Sequence, residues 1–218
     1  MPVNAHPLGI SRIRVVYAKR DGLRFTGHLD LQRLWERLLR RSKLPLRYTQ
    51  GYHPRPRLNL ASALPLGFIS DEELLDFWMD ESLPLPEIQQ RLTAVAPPGL
   101  EIYSVQQVDM GEDALQVQMK ASEFEVSFYD PQNILELNHQ VEQLLNQTSI
   151  PITRRKKTYN LRPLILALET ATDPDGAVIL RMRLKAEPGA TGRPDDLLET
   201  LGYPNTAYLV RRTRLLLN

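Results

Sequence analysis

Hydrophobic positions follow two periods along this chain, and the change from one to the other marks its elements. Ile13 to Tyr17 alternates and is rich in β-branched residues, which predicts a strand. Asp21-Gly22 is a turn signal, and Leu23-Arg24-Phe25 is expected to continue a hairpin. From Leu31 the spacing changes: Leu31, Leu34, Trp35, Leu38 and Leu39 fall at i, i+3, i+4, i+7 and i+8, one face of a helix. Asp30 stands where an N-cap or first-turn acid belongs, and Arg40, Arg41 and Lys43 where the helix dipole favours cations. Pro45 ends that helix. A turn-rich segment at residues 50–56 leads to an expected strand from Leu58 towards Leu64. Leu74, Leu75, Phe77 and Trp78 read as a buried strand or short helix. Pro86 to Ala96 forms a second amphipathic pattern with Ile88, Leu92 and Val95 inward; Pro97-Pro98-Gly99 stops it, and a strand follows at Leu100–Val105.

Residues 10–108 thus read strand, helix, strand, strand, helix, strand, the order of a split βαβ or ferredoxin-like unit. The pattern recurs. Phe124, Val126 and Phe128 alternate, and Ile134, Leu137, Val141, Leu144 and Leu145 mark a helix. Strands are expected at 150–153, 161–168 and 178–184, a short helix near Asp195–Leu201, and a last strand at 207–216. The expected fold is α+β, with two tandem ferredoxin-like units carrying antiparallel sheets, at residues 10–115 and 116–218.

Composition narrows the function classes. The chain has 218 residues and no cysteine, which excludes disulfides, thiol nucleophiles and iron–sulfur ligation. No apolar run reaches the roughly 18–20 residues that span a bilayer, and the first nine residues lack signal-peptide character, so a cytoplasmic location without membrane attachment is expected. The net charge of +1 hides segregation: residues 1–70 hold 13 Lys+Arg against 3 Asp+Glu, residues 71–150 hold 2 against 16, and residues 151–218 hold 12 against 7. Either an anion-binding face or two mutually neutralising parts would follow from this.

The cations concentrate where helix and turn meet. Arg33, Arg37, Arg40 and Arg41 fall largely opposite the Leu/Trp stripe, and Arg47, Arg55 and Arg57 follow in the turn and strand. Tyr48 and Tyr52 are interleaved among them, a combination suited to phosphate contact and base stacking, or simply to a solvated helix face. Arg154-Arg155-Lys156-Lys157 is a second basic run, and Arg211, Arg212 and Arg214 extend it. His28 and Asp30 read as an acid–base pair or as groups at a helix start, and His53 lies in a proline-rich turn. The four histidines are scattered over four segments, so neither a metal site nor a cofactor is expected. Asp71, Glu72, Glu73, Asp76, Asp80 and Glu81 form an acidic pole that reads as the polar face of a core element or as a protein-docking surface. No phosphate-binding glycine loop or hydrolase motif is present.

Gly27-His28-Leu29-Asp30-Leu31, the arginine-rich helix, Gln50-Gly51-Tyr52-His53-Pro54-Arg55-Pro56 and Ala61-Ser62-Ala63-Leu64-Pro65-Leu66-Gly67 come in that order. In this they resemble the radical SAM-associated protein family of bacteria, with Tyr52 in place of the usual Phe and Arg55 between the two prolines where members often carry His. The resemblance covers about residues 13–80 and implies a setting in RNA metabolism, beside ribonuclease E/G-type endoribonucleases and radical SAM proteins. A chain without cysteine is not itself a radical SAM catalyst. The function expected is therefore a non-catalytic binding protein that restrains a ribonuclease E/G-type enzyme. The alternatives are an adaptor presenting tRNA or ribosomal RNA to a radical SAM partner, and a Cas6-like endoribonuclease with His28 or His53 as base. In the first two, His28, Asp30, Gln50, Tyr52, His53 and the named arginines and lysines form the binding surface.

Overall fold

β1 (Ser11–Lys19) is built from the alternating segment at Ile13–Tyr17, extended at both ends. A computed structural model describes residues 9–154 and 157–218; His6, Arg155 and Lys156 lie outside the described residues. The chain divides into two compact units between Gln118 and Met119. The first continues with α1 (His28–Arg41), β2 (Leu58–Leu60), β3 (Ile69–Met79), α2 (Leu85–Thr93), β4 (Leu100–Val108) and the single turn α3 (Leu115–Gln118). Its strands lie in the order β2, β3, β1, β4, all antiparallel.

The Leu/Trp stripe of α1 faces this sheet. Leu31, Trp35, Leu38 and Leu39 are buried with Ile13, Val15, Tyr17, Leu75, Phe77 and the inward residues of α2, Ile88 and Leu92. Tyr17 meets Trp35 edge-on, ring centroids 4.9 Å apart. An aromatic this deeply enclosed contributes about 3–5 kcal/mol by comparison with alanine.

One expectation fails between β1 and α1. Asp21–Phe25 is a short 3-10 turn and not the second arm of a hairpin. Both edges of β1 are already paired, to β3 and to β4, so a hairpin arm has no ladder to join. The N–H of Arg20 donates to Gly99 O at 2.8 Å, and the chain turns at Asp21 with φ 49°. At that corner Gly99 has φ +83°, and a Cβ there would stand 2.6 Å from Arg20 O, so only glycine fits.

The second unit runs β5 (Met119–Phe128), α4 (Ile134–Leu145), β6 (Pro151–Arg154), β7 (Lys157–Asn160), β8 (Ile165–Thr172), β9 (Val178–Glu187), β10 (Ala190–Thr191), α5 (Pro194–Thr200) and β11 (Tyr208–Leu217). Its sheet has the order β8, β9, β5, β11, again antiparallel, with β10 on the far end of β9. Asn133 caps α4, its side chain accepting from the N–H groups of Leu135 and Glu136. The strand expected from Leu161 begins four residues late. Arg162–Leu164 forms a 3-10 turn, and Pro163 within it has no N–H to offer a ladder. β6 and β7 pair only with each other, a hairpin whose second arm the hydrophobic pattern does not reveal.

The first unit also buries charge. Arg14 and Asp76 stand opposite each other across β1 and β3, and Arg12 stands opposite Trp78. Asp76 is fully buried, Arg12 and Arg14 nearly so. Arg12 Nε donates to Asp76 Oδ2 at 2.8 Å, and Arg14 Nε donates to Oδ1 at 2.8 Å. The remaining Arg12 donors reach the carbonyl oxygens of Glu112 and Asp113 at 2.6 and 2.8 Å. One carboxylate thus holds two guanidinium groups in the same strand pair. Asp76→Ala would leave Arg12 without a carboxylate among the described residues and Arg14 with only the more distant Glu112, 3.7 Å away, and is expected to cost about 3–5 kcal/mol. Asp80→Ala, which removes the partially exposed partner of Arg47, is expected to cost less than about 1 kcal/mol. Urea denaturation of the two variants checks the contrast.

Candidate docking surface

The outward face of α1 carries the arginines. Arg33, Arg37, Arg40 and Arg41 are all exposed. Arg33 bridges to Asp30 at 3.2 Å, so the Asp30 carboxylate is turned along the helix surface toward a cation. Arg37, Arg40 and Arg41 have no carboxylate within 4.0 Å among the described residues. His28 is the first helical residue and half-buried, with Gly27 as the N-cap.

At the start of α1 the surface becomes apolar. Phe25, Leu29 and Leu66 are 65%, 67% and 65% exposed. Gly67 N–H donates to Arg24 O at 2.7 Å, which brings the Leu-Pro-Leu-Gly segment beside the chain entering the helix. The Arg24 guanidinium lies 4.7 Å over the Phe25 ring. Leu29, Arg33, Arg37 and Arg41 succeed one another at i, i+4, i+8 and i+12, so the apolar turn leads directly into the arginine stripe. The apolar members escaped the hydrophobic pattern, although Leu29 offered a signal: it is out of phase with the buried stripe of Leu31, Trp35 and Leu38.

Residues 47–57 form a protruding loop closed at its base. Arg47 N–H donates to Trp78 O at 2.8 Å, Trp78 N–H to Arg57 O at 3.2 Å, and Arg57 N–H to Arg47 O at 2.8 Å. Thr49 and Arg55 continue the closure, N–H to O at 2.8 Å. Three of its cations are occupied. Arg47 pairs with Asp80 at 3.1 Å, Arg55 approaches the buried Glu36 of α1 at 3.8 Å, and Arg57 stacks on Trp78 at 4.4 Å. At the tip Gln50 and His53 are exposed, and Tyr52 is 95% exposed with its ring edge-on to that of His53.

The expected acidic pole lies on β3 and just beyond it, and much of it is spent inside the first unit. Asp76 is on Arg12 and Arg14, Asp71 is 3.1 Å from Arg20, Asp80 is on Arg47, and Glu73 is buried. Because β3 pairs with the arginine-bearing β1, the charge segregation along the chain is partly an ion-pair register between neighbouring strands.

The second basic run is placed differently. Arg154 Nη1 donates to Asp195 Oδ2 at 2.9 Å and to Asp196 Oδ1 at 2.8 Å, and Tyr159 donates its hydroxyl to Asp196 Oδ2. Lys157 is exposed at the start of β7. Burial, with the hydrogen bond to the Asp196 carboxylate, holds the Tyr159 phenol well above its ordinary range. The hydrogen bond to Asp195, with the charges of Asp195 and Asp196, raises Arg154 further. Arg211 donates to Glu125, and Arg212 is buried. The structure therefore gathers the α1 arginines, Gln50, Tyr52 and His53 in the first unit, while Arg154 belongs to a separate ion-pair cluster in the second. Among the described residues no group of three or more His, Asp or Glu side chains is placed to hold a metal, and no helix is long and apolar enough to cross a membrane.

Over residues 12–194 the chain matches the family model described as an uncharacterized protein conserved in bacteria, DUF2344. No curated protein matches it. Among solved structures it is similar to a chain of a Cbf5–Nop10–Gar1 complex, at 10% identity and a TM-score of 0.44, covering 92% of this chain and 48% of that one. It is similar too to a chain of the archaeal box H/ACA sRNP Nop10–Cbf5 complex, at 11% identity and a TM-score of 0.43, covering 93% and 48%. This chain spans about half the length of those chains.

The Arg154 cluster and the α1 stripe are expected to separate in a stability experiment. Asp196→Ala strands the Tyr159 hydroxyl and leaves Arg154 with Asp195 alone, and should cost about 2 kcal/mol in urea denaturation, whereas Arg37→Ala should leave the unfolding midpoint unchanged. The raised Tyr159 phenol adds a pH signature. Its contribution is whole below the ordinary value of 10.0 and is lost as pH rises beyond it. Tyr159→Phe should flatten that alkaline decline.

Proposed function

We propose that this chain, which belongs to the bacterial family of uncharacterized conserved proteins DUF2344, is a non-catalytic binding protein of RNA metabolism that docks through the first unit. The observation that carries this reading is the run from exposed Phe25, Leu29 and Leu66 through Arg33, paired with Asp30, to Arg37, Arg40 and Arg41, which have no carboxylate within 4.0 Å among the described residues. Aromatic residues and arginine are what protein interfaces concentrate, with lysine depleted, and the outward face of α1 has arginines and no lysine. The partner is a ribonuclease E/G-type endoribonuclease, which the protein restrains; that identification rests on the family resemblance of the Gly27–Leu31, Gln50–Pro56 and Ala61–Gly67 segments.

A second reading has its own support. Arg37, Arg40 and Arg41, with no carboxylate within 4.0 Å among the described residues, together with Tyr52 at 95% exposure on the 47–57 loop, suit a single-stranded RNA, with phosphates on the guanidinium groups and a base on the ring. In that reading the protein presents RNA to a radical SAM enzyme.

Both readings use the same scaffold, which we take as two ferredoxin-like units. The strand order β2, β3, β1, β4 in the first unit supports this, as does β8, β9, β5, β11 in the second, where β6 and β7 form an inserted hairpin.

Sizing chromatography of the RNA-free protein with the catalytic region of the ribonuclease E/G-type enzyme from the same cell tests the first reading. A shared peak that also slows RNA cleavage is the expected result; separate peaks would overturn it. The RNA reading expects instead an oligonucleotide affinity that falls steeply with salt and collapses in Arg37→Ala/Arg40→Ala/Arg41→Ala.

A further inference from the structure

Beside the arginine stripe lies a groove of about 300 Å³, bounded by α1 on one side and by the segment joining α2 to β4 on the other. Its apolar lining is Leu34 and Leu38 from α1 with Val95 and Pro97 from the joining segment. Its charged wall is Arg33, Arg37 and Arg41, with Asp30 at one end. The charged wall is all α1, while the apolar lining is shared between α1 and the joining segment, and the groove exists because α1 packs its Leu/Trp face on the sheet while turning the flank of that face toward Val95.

The arginines stand at i, i+4 and i+8, so their helix positions repeat at about 6 Å along the axis. A partner helix with carboxylates at i, i+4 and i+8 has the same repeat, and its adjacent edge, at i+1 or i+3, is where apolar residues would meet the lining. Two ligands compete for such a wall. A nucleic-acid backbone satisfies the guanidinium groups but brings phosphate and sugar against Leu34, Val95 and Pro97, leaving that apolar surface without a hydrophobic partner. An amphipathic acidic helix satisfies both linings. Arg37 and Arg41 have no carboxylate of their own within 4.0 Å among the described residues, so the fold leaves their charge to be met from outside. An open cavity of about 440 Å³ on the sheet face of the second unit lacks this property: Arg183 pairs with Glu123 at 2.6 Å and Arg181 with Glu125 at 3.3 Å.

We propose that the groove between α1 and the α2–β4 connection is the seat of an acidic amphipathic helix of a partner protein. This rests on the docking reading given above and names the chemistry of the partner's contact segment. Helix-in-groove recognition of this kind draws affinity from the apolar edge and specificity from the charge ladder.

The probe is a synthetic helical peptide with glutamates at i, i+4 and i+8 and leucines along the adjacent edge, titrated into the full chain and followed by fluorescence anisotropy. Binding should weaken about tenfold when the glutamates become glutamines. An R37E/R41E variant, checked by circular dichroism for an intact fold, should lose the glutamate peptide and prefer the same peptide carrying lysines instead. Three results would overturn the proposal: no peptide binding, equal binding of the glutamate and glutamine peptides, or tighter binding of an oligouridylate that R37E/R41E abolishes. If R37E/R41E still co-elutes with the ribonuclease region, the groove is not the seat and the docking reading survives. If the wild type binds the peptide but not the ribonuclease, the partner's identity falls and the groove stands.

Discussion

The central strand pair of the first unit is tied by one carboxylate. Asp76 is buried between Arg12 and Arg14, and neither guanidinium reaches water to any extent. Desolvating two cations and one anion is unfavourable unless the geometry and the remaining donors are both satisfied. Here the spare donors of Arg12 end on the carbonyl oxygens of residues 112 and 113, so the ion cluster also fastens the chain just ahead of α3. Trp78 adds a further tie: Arg12 lies 5.3 Å above its ring centroid and Arg57 lies 4.4 Å from it. The backbone of the same residue closes the base of the 47–57 loop. The exposed loop and the buried cluster are thus attached two residues apart on one strand, at Trp78 and Asp76.

Much of this architecture was legible in the hydrophobic pattern. The stripe Leu31, Leu34, Trp35, Leu38 and Leu39 announces α1 because its burial on a sheet requires a helical repeat. α4 was legible to its ends, since Ile134, Leu137, Val141, Leu144 and Leu145 keep one helical phase from its first residue to its last. What stayed hidden was pairing between distant strands. Nothing local in Arg14 says that Asp76 will face it sixty-two residues later. For that reason the acidic pole reads as a surface in the sequence and turns out to be partly interior. The same ignorance of partners makes Arg154-Arg155-Lys156-Lys157 look like one solvated run, when Arg154 is held by Asp195 and Asp196.

The distribution of arginines separates two uses of one side chain. On β1 the planar guanidinium of Arg14 holds both oxygens of Asp76, and in the second unit one nitrogen of Arg154 reaches two carboxylates; both serve the fold. On α1, by contrast, Arg37, Arg40 and Arg41 have no carboxylate within 4.0 Å among the described residues, on the helix whose first turn exposes Leu29. Counting charge by segment cannot distinguish these cases, because both add equally to the total. Only the register of the strands and the facing of the helix tell them apart.

α1 keeps its two obligations on separate faces. The residues that hold it to the sheet point one way, and those proposed to meet a partner point the other, with few side chains serving both. Substitutions on the outward face are therefore free to accumulate without threatening the scaffold. A lineage could exchange one partner for another by altering a handful of arginines and the Phe25–Leu29 turn. Loss of the inward residues, by contrast, would abolish every partner at once. Divergence among relatives should then show itself first along that outward stripe, as altered specificity on an unaltered frame.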